Sequence, residues 1–163
     1  MCSKKECADD FRKYFSIDRP ASEDMFFIRN DVCEYEGNIY RDLFDEMTWV
    51  DVIDSIGSKN CPMGRIQTLG FMKPKGLNYY TPTFFCYFFE TLDEELMEKY
   101  FSSVTLSDDD RFSDKQSEFF SLLEENSAIF FVKTLRKLIS YLKESGIESS
   151  SAERSYESFW KFI

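Results

Sequence analysis

Phe84-Phe85-Cys86-Tyr87-Phe88-Phe89 sets six aromatic or thiol side chains in a row, with no polar face among them. Whatever conformation this run adopts, protein must cover both faces, because each large ring left in water forfeits about 1.5–3 kcal/mol of burial free energy. Six residues are far short of the roughly 20 that cross a bilayer as a helix. The run is therefore a buried strand or a buried helical segment, and periodicity alone does not separate the two. Its aromatic content leans towards a strand over 83–90. The alternative is one continuous helix from Thr83, seamed by Phe85, Phe89, Leu92, Leu96 and Tyr100. On the first reading Thr91 and Glu94 form a capping box that starts a surface helix.

The rest of the chain supplies what such a block packs against. Eighteen Phe, nine Tyr and two Trp in 163 residues predict a core built from rings. That length predicts one domain, 1–163, large enough to bury a core without staples. Helical spacing recurs along it. Residues 4–16 place Cys7, Phe11, Tyr14 and Phe15 on one face, and Pro20 ends that element. Met25–Ile28 is open between strand and helix. Thr48 with Asp51 reads as a capping box, followed by Trp49, Val52, Ile53 and Ile56 on one side and a left-handed terminator at Gly57. Ser113 with Gln116 suggests a third box. Ser127 is a candidate cap for a helix whose stripe runs Ala128, Phe131, Val132, Leu135, Leu138, Ile139 and Leu142, with Lys133, Arg136, Lys137 and Lys143 opposite and Gly146 at its end. Tyr156, Phe159, Trp160 and Ile163 close the chain at helical spacing. The expected fold is mainly α: a single compact helical domain of about six to seven helices. A small β element, pairing 65–71 with 83–90, would make it α+β.

Between residues 57 and 82 the character changes to a Gly- and Pro-rich loop or hairpin region, holding four of the six glycines and three of the four prolines. From Ser55 to Phe89 there is no acidic residue, while Lys59, Arg65, Lys73 and Lys75 give four positive charges. Against a net charge of −10, the remaining residues therefore carry −14. These four residues are the candidate binding site, for an acidic partner, peptide or phosphate. The plainer reading is a connection followed by a buried segment from which burial excludes acids.

Most catalytic chemistry is excluded by composition. The chain has no histidine, which removes Ser-His-Asp and Cys-His nucleophilic machinery, His-based zinc catalysis and the two-His-one-carboxylate iron site. Cys2 and Cys7 lack a second pair at zinc spacing, and five cysteines without a secretory leader predict reduced thiols, with Cys86 buried. A calcium loop counted from Asp108 puts Ser113 where Gly is needed and Phe119 where the bidentate Glu belongs, so Asp108-Asp109-Asp110 reads as a solvated loop. No phosphate-cradling glycine motif occurs. No cofactor or metal is expected. The acidic balance disfavours nucleic acid, whose binding rests on phosphate neutralisation. The polar start, MCSKKECADD, and the absence of a long apolar run predict cytosol or nucleus and no membrane contact.

The stretch LFDEMTWVDVIDSIG, residues 43–57, together with the helical architecture and acidic surface, resembles the small Bcl-2-like proteins of large DNA viruses. It lacks their diagnostic Asn-Trp-Gly-Arg motif. That resemblance implies a helical modulator of host signalling. Leu43-Phe44, Trp49, Arg65 and Tyr79-Tyr80 resemble the N-terminal lid of AlkB-type dioxygenases, whose chemistry needs histidine ligands this chain does not have.

The function expected from these observations is a non-enzymatic protein–protein interaction module or a subunit of a larger complex, with a protein partner. The alternatives are a small carboxylate- or Mg-dependent enzyme without histidine chemistry, and the Bcl-2-like modulator.

Overall fold

The computed structural model describes residues 4–27, 39, 41–44, 46–64, 68–105 and 113–160. Among them are ten α-helices and one 3-10 turn, Pro62–Gly64. The helices are α1 Lys4–Phe11, α2 Ser22–Met25, α3 Trp49–Ser55, α4 Thr68–Phe71, α5 Pro74–Tyr79, α6 Thr81–Thr91, α7 Glu94–Val104, α8 Ser113–Ser121, α9 Glu125–Glu144 and α10 Ser150–Trp160. The mainly α expectation holds, with more and shorter helices than the six or seven anticipated.

The aromatic run is helical. Over 83–90 the chain belongs to α6, and of 65–71 the described part is the single turn α4, so these segments do not pair as strands. The β-preference of the rings loses because a helix satisfies its own backbone while burying side chains all round. Thr81–Cys86 and Phe88 are all buried. Pro82 sits in the first turn, where its missing N–H costs nothing, and the Thr81 hydroxyl donates to the Leu77 carbonyl at 2.9 Å. The β character that does occur among the described residues is one antiparallel bridge between Phe26 and Met72.

Helix α6 is the axle of the molecule. It packs on α1, α3 and α9, and its rings meet rings from α1, α7 and α9. Phe85 lies 5.8 Å from Phe11, 5.3 Å from Phe131 and 6.2 Å from Phe101 between ring centres. Phe84 stacks on Tyr100 at 4.4 Å. Phe131 carries the network on to Phe159 at 4.8 Å, so α9 and α10 join the same cluster. Edge-to-face and offset pairs of this kind add about 0.5–1.5 kcal/mol each beyond area burial.

Three expected helix boundaries move, each for a local reason. The first helix stops at Phe11 rather than running to residue 16, because the carbonyls beyond it are used elsewhere. Tyr14 O accepts the Ser127 hydroxyl (2.6 Å), Ser16 O accepts the Trp49 indole N–H (2.8 Å) and Ile17 O accepts the Tyr79 hydroxyl (2.9 Å). Thr91 is the last residue of α6, its hydroxyl bonded back to Tyr87 O (2.9 Å). Leu92 then turns through a left-handed φ of 54°, and Asp93 caps α7 by accepting from Leu96 N–H at 3.0 Å. A carboxylate there also meets the positive end of the helix dipole. Ser127 lies inside α9, its hydroxyl spent on Tyr14, and Glu124 occupies the N-cap position without a side-chain bond.

Other boundaries fall as the sequence predicts. The Thr48–Asp51 capping box is formed in both directions, Gly57 and Gly146 take φ of 90° and 71°, and the α9 stripe is buried apart from a half-buried Ile139. In α8, the Gln116 amide donates to Ser102 O at 3.2 Å, and the Ser113 side chain, the other half of the expected box, lies outside the described residues. Asp108-Asp109-Asp110 and Ile163 lie outside the described residues.

Candidate functional site

The basic segment is fastened to α2. Around the Phe26–Met72 bridge, Phe27 N–H donates to Phe71 O and Lys73 N–H donates to Met25 O, both at 2.8 Å. Gly76 makes the close approach possible: a Cβ there would stand 2.5 Å from the Met25 carbonyl oxygen. Two of the sequence-predicted residues come together at this junction. Lys73 donates its ammonium to the Glu23 carbonyl, and Lys75 pairs with the Asp24 carboxylate at 2.7 Å. That hydrogen bond from Lys75 holds the Asp24 carboxyl below its ordinary range.

Lys59 stands exposed in the turn after α3. Among the described residues, no hydrogen bond, ion pair or cation–π contact joins it to the pair on α5. Arg65 lies outside the described residues.

The junction also gathers two residues that the sequence did not single out. Phe26 turns into the core, so its neighbour Phe27 faces outward and is 38% exposed. The ammonium groups of Lys73 and of Lys115, from α8, each lie 5.9 Å from the centre of the Phe27 ring. Helix α8 reaches this position because it packs on α5. Lys115 is half-buried, and burial pulls its ammonium below the ordinary lysine range. Among the described residues no carboxylate forms an ion pair with it. Lys73, singled out by its charge, is thus half of a motif: an outward aromatic ring approached by one cation at the N-cap of α5 and another from α8. No sequence signal links positions 27, 73 and 115, because nothing local couples them.

Neither family models, nor curated proteins, nor solved structures give a match to this chain.

Most of the other polar groups of the interior are committed to structure, while Arg19 Nε and Asn78 Nδ2 are buried without a hydrogen-bond partner among the described residues. Tyr80 donates to Met47 O at 2.9 Å, and Tyr100 shares a hydrogen bond with Thr81 at 3.0 Å. Burial raises both phenols well above their ordinary value, so they are neutral at physiological pH. Arg19 donates to Ser22 Oγ, Phe44 O and Pro20 O, pinning the segment after α1. Among the described residues, no group of three or more Cys, Asp or Glu is placed to hold a metal ion, and no helix is long and apolar enough to cross a membrane.

Two concavities flank α1. A polar one of about 460 Å³ lies between the 12–16 segment, Asn78, the Leu122–Glu124 connection and Ser127 of α9. Tyr14 and Leu122, both exposed, stand at its edge. The other, apolar, opens between α1, α6 and α9.

Proposed function

We propose that the chain is a non-enzymatic protein-interaction module that holds an acidic segment of a protein partner. Its contact surface is centred on Phe27, Lys73 and Lys115, with Lys75 beside them at the same junction. The observation that carries this reading is the exposed Phe27 ring with two ammonium groups each 5.9 Å from its centre, in a chain whose net charge is −10.

An acidic surface repels most acidic partners, so a local group of cations around an apolar anchor confers selectivity as well as attraction. Desolvating Lys115 with no ion-pair partner among the described residues costs folding free energy, and a partner carboxylate would offset that cost. Aromatic rings and cations at the centre of a patch are also the side chains from which binding hot spots are built.

The test is capture of the partner from the native source, followed by titration against a variant with Lys59, Arg65, Lys73 and Lys75 all changed to Ser. Weaker binding with a flatter salt dependence is expected. Unchanged affinity at low and high salt would end the proposal.

A further inference from the structure

Helix α9 carries a second stripe beside its core face. Phe130, Thr134, Lys137 and Tyr141 recur at helical spacing, and with Cys7, Asp10 and Phe11 of α1 and Phe89 of α6 they enclose a cleft of about 200 Å³. Two aromatic pairs wall it. Phe11 and Phe130 meet edge to face at 5.0 Å, and Phe89 and Tyr141 lie 5.9 Å apart. Cys7 and Thr134 are buried, and Thr134 spends its hydroxyl on Phe130 O at 2.9 Å, so its hydroxyl is not available to a ligand.

Charge is confined to two lining residues. Asp10 is held as a carboxylate by Lys13 at 2.7 Å. Lys137 is exposed, and no ion pair holds it among the described residues.

We infer that this cleft binds a small amphipathic anion, its apolar body between the two ring pairs and its carboxylate on Lys137. The volume sets the size: a cavity of about 150 Å³ takes benzene, so this one takes a body somewhat larger than a single arene, and a folded helix is far too large. The balance of charge sets the sign of the head group: Lys13 and Lys137 both act on the one carboxylate in the lining, Asp10, which leaves one cation in excess. The site shares no residue with the Phe27 patch and stands or falls independently of it.

The probe series keeps the body constant and changes the head: 4-phenylbutyrate, 4-phenylbutanol and 4-phenylbutylamine, titrated calorimetrically into the full chain. The acid is expected to bind about threefold tighter than the alcohol, as suits an exposed ion pair, and the amine more weakly than either. Lys137→Glu, an exposed change that leaves the fold intact, should shift the acid-to-amine ratio by roughly tenfold towards the amine. Alkylation by N-ethylmaleimide, mapped by mass spectrometry, locates the site: saturating 4-phenylbutyrate should slow reaction at Cys7 and leave Cys61 unchanged. No binding by any of the three, equal affinity for acid and amine, or a bound acid that leaves Cys7 unprotected would each overturn the assignment.

Discussion

Phe85 and Phe27 carry the same side chain and face opposite demands. Phe85 is fully buried and spends its ring on four other rings. Phe27 is more than a third exposed and is approached by two ammonium groups. In α6 the aromatic rings are the structure, holding α1, α3, α7 and α9 to one axle. At the α2–α5 junction an aromatic ring is presented by the structure, held outward because Phe26 beside it turns in. The contrast sets the proposed contact surface away from the most conspicuous stretch of the sequence.

Substitutions should separate the two regions, and the largest effect belongs to the core. Phe85→Ala removes the hub of the ring network and is expected to lower unfolding free energy by about 3–5 kcal/mol in urea titration. A loss under about 1 kcal/mol would mean the network is not centred there.

Next comes the start of α7. Asp93→Ala should cost about 1 kcal/mol through loss of the cap, whereas Thr91→Ala, which ends the preceding helix, should change the midpoint little. The reverse order would restore the capping box first expected at Thr91.

Smaller still, Phe27→Ala should cost under about 1 kcal/mol, since the exposed ring loses two weak cation–π contacts. A loss on the scale of Phe85→Ala would make Phe27 a core residue and erase the contrast.

Lys115 gives a pH signature. Its folded-state value lies below the ordinary 10.5 because burial disfavours the charged form. Between that lowered value and 10.5 the unfolded chain binds more protons at this site, so its contribution to stability rises with pH through that window. Below the window the charged, half-buried amine is a fixed penalty. Lys115→Met should therefore stabilise the protein at neutral pH and remove this alkaline rise, as read from paired unfolding curves between pH 7 and pH 11. A destabilised variant with an unchanged pH dependence would contradict the burial argument.

How much of this was legible in the sequence depends on how local each determinant is. The Thr48–Asp51 box, Gly57, Gly146 and the α9 stripe each rest on residues within a few turns of one another, and each is where the spacing put it. The state of residues 83–90 was undecidable because strand and buried helix bury the same six side chains. Contact with α1, α3 and α9 decided it. Thr91 and Asp93 were both acceptable caps, and the choice fell to where α6 ends, with Thr91 bonded back to Tyr87 O. Of the four predicted basic residues, Lys73 and Lys75 meet at the α2 junction, Lys59 stands apart, and Arg65 is outside the described residues. Phe27 was hidden in the apolar run Met25–Ile28, which does not reveal which residues face outward. Lys115 was hidden by distance, since its relation to Phe27 exists only once α8 packs on α5.

The sharpest measurement combines both regions in one protein. A variant carrying Phe27→Ala and Lys115→Ser is titrated against the captured partner, and its urea unfolding is compared with that of the parent chain. The expected result is an unfolding midpoint close to the parent's with affinity reduced by about tenfold or more, as for loss of a central anchor. Affinity equal to the parent's, with folding intact, would show that the partner docks elsewhere.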